Sequence, residues 1–529
     1  MHISPIHCAA PHFRSRPCSS QTRNTTDGSV LPNNKFPNGI KALADFVHAR
    51  GLKFGIYTDI GNKTCGGGSG ILGHEHADAA KYAEWGVDLV KNDDCHHATN
   101  TTAAYEATWK ALVATGRPMI HMTKASLDVS SPLARTFAQA RRVSKDITWL
   151  WPRIKSLVYQ QQSWSSNLSN ISGVQPLSGN GFWNDMDMME IGNAGVGAYQ
   201  GIWQNLSFAE SRTHFALWSL LKSPMILGCD LTAQRPDVIE VLRNGEATAM
   251  NQDKLGVQAT MLASTNVTEP EAYMLLKPCN ATVDRQVGWF IDPLSTAGAT
   301  RDATPGVVEV AVKTKQDRCI SAAWPMYDAF VAPCNTSDTR QTWVWNSTAG
   351  TLRTSIVYTT AQPTCLVAAF AHVLRGSSVK VGICRANGPV WNVRPDGTLA
   401  SSLGPIATDI GDRKTGPKTG PGVTKPTQEC VERVDATPME RALGIGQLQV
   451  YGGPLSPRGE WGVGLVNMDT MHSHNITLQW KDLPGNVHPS TKFVVRDVWA
   501  KRNVPGTHSG SFTVRVNPHD TALIRLVPA

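Results

Sequence analysis

The sequence predicts an α/β domain followed by antiparallel β-structure, and three observations support this prediction. From about residue 37 to 256, amphipathic helical patterns alternate with short apolar strand patterns. After residue 256 the helical patterns disappear, and short strands separated by turns replace them. Strands that alternate with helices predict a parallel sheet, and this number of units predicts a (β/α) barrel or a doubly wound fold. No Gly-rich phosphate loop opens a helical pattern, which disfavours a nucleotide fold.

The elements of the first part follow in order along the chain. Apolar residues at helical spacing mark a first helix, which Gly51 ends before the strand FGIY. A second helix around Tyr82 precedes the strand VDLVKND, and a third around Trp109 precedes PMIHM. GFWNDMDM and PMILGCDL are two further strand candidates.

The second part of the chain carries strands such as WGVGLVNM, KFVVRDVW and SFTVRV, a pattern typical of a β-sandwich. Two similar segments, beginning DRCISAAW and PTCLVAAF, interrupt it at a period of roughly 45 residues. The predicted organisation is an irregular N-terminus (1–36), the α/β domain (37–256), the first part of a sandwich (257–290), an insert (291–412), a linker (413–440) and the C-terminal sandwich (441–529).

Composition excludes some classes of function and favours a secretory route. The formal charge is +8, but Lys and Arg are scattered, so we predict no nucleic-acid partner. No stretch has the ~18 uninterrupted apolar residues of a membrane helix. Eleven Asn-x-Ser/Thr sequons and eleven cysteines indicate secretion. Because MHISPIHCAAPHF lacks the pattern of a signal peptide, we expect the true N-terminus to lie outside this sequence.

The strand around DLVKNDDC carries the densest group of charges in the α/β part. Side chains alternate along a strand, so Lys91 and Asp93 share one face while Val90, the apolar member of the other face, suits packing against helices. Catalytic groups of barrels lie at the carboxyl ends of strands. Lys91 and Asp93 are therefore candidates for a site, although a plain salt bridge explains the spacing equally well. Asp88 begins the strand and is predicted to be a turn or cap residue.

Several longer motifs resemble one glycoside hydrolase family, that of the α-galactosidases and α-N-acetylgalactosaminidases. The motifs are GLKFGIYTDIGNKTCGG, WGVDLVKNDDC, WNDMDMMEIGN, RTHFALWSLLKSPMILGCDL and AMNQDKLGVQ. The resemblance runs in order from about Asn24 to Gln258 and resumes from about Gln449 to the C-terminus. It implies a (β/α)8 TIM barrel with a C-terminal antiparallel β-sandwich, and we predict neither a cofactor nor a metal.

The resemblance also implies the catalytic residues. The aspartate two residues after the strand lysine is the family's nucleophile, which corresponds to Asp93. The acid/base aspartate lies four residues after an arginine, and RVSKDI supplies Arg142 and Asp146 at that spacing. The implied mechanism is retaining, with protonated Asp146 as the acid and Lys91 holding Asp93 ionised.

Four further residues are implied to form the sugar pocket. Lys91 and Arg142 correspond to residues that hydrogen-bond ring hydroxyls, whereas Tyr57 and Met188 correspond to pocket-lining residues. Ordinary packing or a surface charge stays open as the alternative role for each. One segment has Met186 in place of the family's proline and contains Trp183, Asn184, Asp185 and Asp187. For these four residues a structural role is at least as plausible as substrate contact.

The resemblance implies a disulfide between Cys65 and Cys95 beside the site, whereas the family's other barrel pair falls at Thr123 and Ala138. The repeats of the insert predict one bridge each. The remaining cysteine predictions are Cys319 with Cys334, Cys365 with Cys384, Cys279 with Cys430 at the base of the insert, Cys229 as a buried free thiol, and Cys8 and Cys18 unassigned.

The insert resembles the ricin-type β-trefoil lectin, whose repeats carry a Gln-x-Trp turn, and Gln341 and Trp343 supply this turn once. The second copy reads GPVW, and no third copy is evident. A trefoil-like domain is therefore predicted, with sugar binding and a purely structural insert both left open.

Two departures from the family concern the pocket. The family has two aspartates that grip galactose on its second strand, but RPCSSQTRN places Arg16 and Pro17 there. We therefore predict a barrel that lacks its first one or two strands, which leaves its activity open. The loop HMTKASLDV, which normally reads the 2-substituent, also departs from the family.

The leading functional hypothesis is a secreted or lysosomal/vacuolar α-galactosidase acting on an α-galactoside, with no membrane or nucleic-acid partner. The alternatives are an α-N-acetylgalactosaminidase, a β-L-arabinopyranosidase, or an inactive galactose-binding protein. A homodimer is left open.

Overall fold

The structure is a computed structural model that describes the chain in segments. The chain divides into two units. The described segments are 19–96, 100–124, 134–144, 146–147, 151–169, 179–193 and 206–267, separate strands between 272 and 434, and then 446–469, 472–485 and 487–529. The first unit contains residues 1–264, 448–467 and 473–529, and the second contains 265–447 and 468–472.

The first part of the first unit alternates strands and helices, as predicted. The helices are α1 (Gly39–His48), α2 (Glu75–Glu84), α3 (Thr101–Ala114), α4 (Ala134–Phe137), α5 (Trp151–Ser169), α6 (Phe208–Leu220), α7 (Pro236–Leu242) and α8 (Gly245–Asn251). The strands are β1 (Ser19–Arg23), β2 (Val30–Pro32), β3 (Gly55–Asp59), β4 (Leu89–Asp93), β5 (Ile120–Thr123), β6 (Ala140–Arg142), β7 (Trp183–Asp185) and β8 (Thr260–Thr265). Strands β3 to β7 form one parallel sheet in sequence order.

Helix α1 shows why these elements form. Of the apolar residues at helical spacing, Ile40 and Val47 are buried together with Ala44, whereas Phe46 is exposed. Gly51 follows the helix with a φ of +69°, a conformation that glycine adopts without steric cost. All five residues of β4 are buried, because both faces of a parallel sheet in an α/β domain are covered.

Two predicted strands are shorter than their apolar patterns. WNDMDM stays extended only as far as Asp185, because Asp187 adopts a φ of +81°. PMILGCDL contributes a single parallel bridge between Met189 and Leu227. Pro224 has no N–H to donate to a ladder, and its carbonyl accepts from Ile226 in a tight turn.

A buried ion pair joins α2 to the antiparallel strands β1 and β2. Arg23 donates to both oxygens of Asp78, at 2.6 and 3.0 Å, and the N–H of Val30 donates to Asp78 Oδ1 at 2.8 Å. The side chain of Asp78 is 1% exposed. The pair therefore anchors the N-terminal strands to the helical layer.

Replacing Asp78 with alanine should lower the free energy of unfolding by about 3 kcal/mol, because Arg23 would keep a largely buried charge without its partner. Urea unfolding followed by tryptophan fluorescence measures this loss. Asp45→Ala is the matched control, since Asp45 forms an exposed helical pair with Lys41 and should cost only about 0.5 kcal/mol. Equal stabilities of the two variants would contradict the anchoring role.

The described residues of the second unit lie mainly in strands. They are β9 (Ala272–Pro278), β10 (Trp289–Pro293), β11 (Val307–Thr314), β12 (Arg318–Ser321), β13 (Phe330–Pro333), β14 (Trp343–Asn346), β15 (Thr351–Thr354), β16 (Thr364–Ala371), β17 (Gly376–Ile383), β18 (Val390–Val393), β19 (Leu399–Ser402) and β20 (Glu429–Val434). The first sequence repeat supplies the antiparallel pairs β12–β13 and β14–β15, and the second supplies β16–β17 and β18–β19.

The repeats thus have matching strand pairs, whereas the trefoil assignment stays a prediction. Strand β9 lies within the segment predicted to begin the sandwich, but it pairs with β13, β17 and β20 of the second unit. A period-2 strand pattern does not specify which sheet a strand joins.

Of the predicted disulfides of the insert, the one between Cys319 and Cys334 is confirmed. Cys8, Cys18, Cys279 and Cys384 lie outside the described residues, as do Arg16 and Pro17. Cys229 is a free thiol, but it is partly exposed rather than buried.

The C-terminal part of the first unit is an antiparallel sandwich. Its strands are β21 (Leu448–Leu455), β22 (Glu460–Asn467), β23 (His474–Gln479), β24 (Lys492–Asp497), β25 (Arg502–Asn503), β26 (His508–Ser509), β27 (Ser511–Val516) and β28 (Thr521–Pro528). Trp480 and Phe493 meet edge to face in its core. Helix α6 packs against this part: His519 Nδ1 lies 3.0 Å from Glu210 Oε1, and Thr213 donates to the His519 carbonyl at 2.7 Å.

None of the helices that the structure describes is both long and apolar enough to span a membrane.

Candidate active site

Asp93, the last residue of β4, lies at the carboxyl end of the parallel sheet and accepts hydrogen bonds from two neighbouring strand ends. The Tyr57 hydroxyl on β3 donates to Oδ2 at 2.7 Å. The Lys124 ammonium, directly after β5, lies 2.8 Å from Oδ1. The N–H of Asp94 also donates to Oδ1, at 3.0 Å. Both oxygens of Asp93 are therefore held in fixed positions.

These contacts hold Asp93 ionised. Burial disfavours its charged form, but Lys124 and Tyr57 outweigh that effect and keep the pKa of Asp93 below its usual value. Burial raises the pKa of Tyr57, and the negative charge of Asp93 raises it further. Tyr57 consequently keeps its proton and remains a donor. An ionised, oriented carboxylate is the form that a nucleophile requires.

The predicted disulfide between Cys65 and Cys95 is confirmed, and it lies against Asp93. The two Cα atoms are 5.2 Å apart, and the Cys65 sulfur is 3.2 Å from Asp93 Oδ2. Asp59, the last residue of β3, accepts from the N–H groups of Gly61 and Cys95 at 2.9 and 2.8 Å. Burial raises the pKa of Asp59 to about 6. The disulfide and Asp59 together fix the two strand ends beside the nucleophile candidate.

One lysine, Lys124, contacts both Asp146 and Asp93. Lys124 Nζ lies 3.1 Å from Asp146 Oδ1, and Arg142 on β6 lies 3.3 Å from the same oxygen. Since Lys124 also contacts Asp93 at 2.8 Å, the two carboxylate oxygens can be no more than roughly 6 Å apart. That upper limit admits the ~5–5.5 Å separation of the carboxyl groups in retaining glycosidases.

The surroundings of Asp146 favour its ionised form. Its side chain is 63% exposed. Desolvation works to raise the pKa of Asp146, but the charges of Lys124 and Arg142 outweigh it and hold the pKa well below its usual value. The resemblance implies a protonated acid at this position, and the two cations beside Asp146 disfavour that form.

Asp187 is buried and contacts several of the groups around Arg142 and Asp146. It lies 2.5 Å from Arg142 and accepts from the N–H of Ile147 at 2.8 Å. Lys91 Nζ is 3.9 Å from its other oxygen. Trp218 on α6 donates its indole N–H to the Asp187 carbonyl at 2.8 Å. Asp187 therefore orients Arg142 and the backbone next to Asp146.

The structure brings together most of the predicted site residues. Tyr57 and Asp93 are hydrogen-bonded, Arg142 and Asp146 form an ion pair, and Lys91 on β4 lies beside Asp187. Met188 follows Asp187 and is buried. Its sulfur lies so close to Gly228 that a side chain at that position would contact it. The role of Met188 in the pocket stays a prediction.

Asp88 lies at the opposite end of β4, as expected. There it forms an ion pair with Arg117 at 2.9 Å, lies 2.7 Å from the His48 ring, and accepts from the N–H of Phe54. It is therefore a structural residue at the amino end of the sheet.

Sequence reasoning missed the roles of Lys124 and Asp59. Lys124 directly follows the strand PMIHMT, and Asp59 lies two residues after Tyr57 on the same strand. Placement at the carboxyl ends of predicted parallel strands was a usable signal for both. Asp59, Cys65 and Cys95 also lie close enough to suggest metal ligands, but both sulfurs form the disulfide and offer no thiolate.

A parallel β/α sheet with two neighbouring carboxylates at its carboxyl ends is the arrangement found in barrel-type retaining glycoside hydrolases. The comparisons with known proteins agree with this class. A family model described as Alpha galactosidase A matches residues 15–253, and one described as the Alpha galactosidase C-terminal beta sandwich domain matches residues 445–526. Residues 15–253 therefore form a domain of this α-galactosidase family of glycoside hydrolases, and residues 445–526 form its C-terminal sandwich domain.

The individual relatives are named as one of two enzymes, an alpha-galactosidase or an alpha-N-acetylgalactosaminidase. An alpha-galactosidase from Cyamopsis tetragonoloba is 37% identical over 256 residues, covering 48% of this chain and 57% of that protein. An alpha-N-acetylgalactosaminidase from Gallus gallus is 36% identical over 252 residues, covering 46% and 58%. The chain thus spans somewhat more than half the length of these relatives.

A solved structure agrees in fold. The structure of alpha-galactosidase I from Mortierella vinacea matches with a TM-score of 0.53 at 19% identity, over 97% of this chain and 86% of that one. It supports the TIM-barrel domain with a C-terminal β-sandwich.

Proposed function

We propose that the chain is a retaining glycoside hydrolase that removes terminal α-linked galactose from oligosaccharides or glycoconjugates. One observation carries the proposal: Asp93 and Asp146 are within reach of one lysine nitrogen, at 2.8 and 3.1 Å, at the carboxyl ends of the strands. That separation suits a two-step displacement with one carboxylate as nucleophile.

In the first step, an Asp93 oxygen forms a bond to the anomeric carbon. The bond from that carbon to the leaving oxygen breaks, and the leaving group departs with the bonding electrons. In the second step, water attacks the same carbon, Asp146 accepts its proton, and Asp93 is released. Asp146 also supplies a proton to the leaving oxygen whenever it carries one.

The surrounding residues have defined roles in this proposal. Tyr57 donates to Asp93 and keeps one of its oxygens oriented. Lys91 and Arg142 are buried cations with several N–H donors each, which suits them to bind ring hydroxyls. Arg142 is also held by Asp187, so its position is fixed before substrate binds.

A direct assay separates the leading proposal from its alternatives. We expect turnover of 4-nitrophenyl α-galactoside to exceed that of the α-N-acetylgalactosaminide and the β-L-arabinopyranoside, with nitrophenol release as the measurement. Faster turnover of the N-acetyl substrate would support the second candidate, which the Gallus gallus relative favours. Retention on a galactose column without turnover of any glycoside would instead support a binding protein.

We propose a secreted or lysosomal/vacuolar location. Eleven sequons and the disulfides Cys65–Cys95 and Cys319–Cys334 support an oxidising, glycosylating compartment. The homodimer remains open.

A further inference from the structure

Lys124 lies between the two reacting carboxylates, and the proposed mechanism gives this lysine no role. It follows β5 directly, and its side chain is 15% exposed. Its ammonium group contacts Asp93 at 2.8 Å and Asp146 at 3.1 Å. No other described cation contacts both aspartates at hydrogen-bond distance.

The charges around Asp146 favour its ionised form from several elements. Lys124 and Arg142 contact the carboxylate directly, and Lys91 on β4 adds a more distant positive charge. Negative charges oppose them: Asp93 shares Lys124, and Asp187 shares Arg142. Among the described residues, the remaining charged group that faces Asp146 is Arg153 on α5. Its guanidinium donates to the Asp146 carbonyl at 2.8 Å.

We propose that Lys124 is a positioning residue that limits, from between the two carboxylates, the fraction of Asp146 that carries the proton required by an unactivated leaving group. At neutral pH the first step is therefore slower for such galactosides than it would be without the lysine. The inference rests on the proposed function and adds a constraint on its first step. It concerns the first step alone, because an ionised Asp146 remains competent to accept a proton from water in the second.

The leaving group decides whether a proton is needed. With α-galactosyl fluoride, Asp93 bonds to the anomeric carbon, the carbon–fluorine bond breaks, and fluoride leaves with the electron pair. With methyl α-galactoside, methoxide is a poor leaving group, and its oxygen must take a proton from Asp146 as the bond breaks. The ratio of kcat/KM for the two substrates therefore reports on the proton of Asp146. Changes in the nucleophilicity of Asp93 affect both substrates and largely cancel in the ratio.

A second consequence is a pH dependence. Because Lys124 and Arg142 lower the pKa of Asp146, the fraction of protonated Asp146 is small at neutral pH and grows as the pH falls. Activity toward methyl α-galactoside should accordingly rise on acidification, while activity toward the fluoride should not follow it. A displacement of this pH dependence in a Lys124 variant is a readout that a merely structural role of Lys124 would not move.

The test compares Lys124→Met with wild type. Removing the ammonium should raise the pKa of Asp146, so at pH 7 the methyl-to-fluoride ratio of kcat/KM should rise at least about threefold, and the basic limb for methyl α-galactoside should move to higher pH. Lys53→Met is the matched control, since Lys53 pairs with Asp88 at the other end of β4 and should change neither quantity. An unchanged ratio and limb in Lys124→Met would overturn the inference.

A measurement without turnover keeps the inference separate from the proposed function. Carbon-13 NMR titration of the aspartate carboxyls, with Asp146 assigned from its missing signal in Asp146→Asn, should show a higher midpoint in Lys124→Met than in wild type. An unchanged midpoint would refute the charge-setting role of Lys124. Absence of turnover of both galactosides by the wild type would instead refute the glycosidase proposal. Thermal unfolding checks that Lys124→Met is folded.

Discussion

Asp93→Asn should abolish glycosidase activity, with a loss in kcat of at least about 10⁴-fold toward both α-galactosyl fluoride and nitrophenyl α-galactoside. The amide has no negative charge and is a poor nucleophile, although it keeps the size of the carboxylate. Since Asp93 forms the bond to the anomeric carbon, a better leaving group should not restore the rate. Initial rates measured at high enzyme concentration determine the loss.

The neighbouring acid supplies the matched control. Asp94→Asn changes the next residue of the same motif. Among the described residues, Asp94 contacts Asp93 through its backbone N–H, which the substitution keeps, so kcat should change less than about threefold. Asp93→Gly with added azide offers a second check, because azide can occupy the space of the missing carboxylate and yield a β-galactosyl azide. Wild-type rates in Asp93→Asn would disprove the nucleophile assignment.

Asp187→Asn should impair both folding and catalysis, although Asp187 is not expected to react with the sugar. Its carboxylate compensates the buried charge of Arg142 at 2.5 Å, and asparagine would present at most a neutral oxygen there. We expect a loss of about 3 kcal/mol in the free energy of unfolding. Since Arg142 and the backbone of Ile147 position Asp146, kcat/KM should also fall on the order of 10²-fold.

Asp237→Asn is the control for this effect. Asp237 also pairs with an arginine, Arg235, at 2.8 Å, but this pair is exposed and distant in sequence from the site. Its loss should cost about 0.5 kcal/mol and leave kcat/KM unchanged. Urea unfolding and steady-state kinetics on both variants measure the contrast. If Asp187→Asn matched the control in both respects, Asp187 would not be the support of Arg142 and Asp146.

Much of the fold could be predicted from the sequence, because local patterns determine it. Alternating apolar patterns predicted β3, β4 and β5 and the helices between them, and Gly51 ended α1 as expected. The extent of β7 was not predictable from apolar pattern, because Asp187 leaves the extended conformation. The assignment of β9 to a sheet depends on pairing with strands more than fifty residues away, which a period-2 pattern does not encode.

The candidate site was predicted in part. Strand alternation placed Lys91 and Asp93 on one face, and the family resemblance added Asp146, Tyr57 and the Cys65–Cys95 disulfide. The position of Lys124 between two carboxylates arises only when β4, β5 and β6 lie side by side, so no spacing within one strand reveals it. The charge state of Asp146 follows from the same tertiary contacts.

The central claim is that Asp93 forms a covalent bond to galactose. Incubation with 5-fluoro-α-galactosyl fluoride, followed by reduction, trypsin digestion and mass spectrometry, tests it directly. Cleavage after Lys91 and Lys110 yields the peptide 92–110, which contains Asp93. We predict one fluorogalactosyl label on this peptide, located at Asp93 by fragmentation and absent from Asp93→Asn. A label on another carboxylate, or no label in the wild type, would contradict the account.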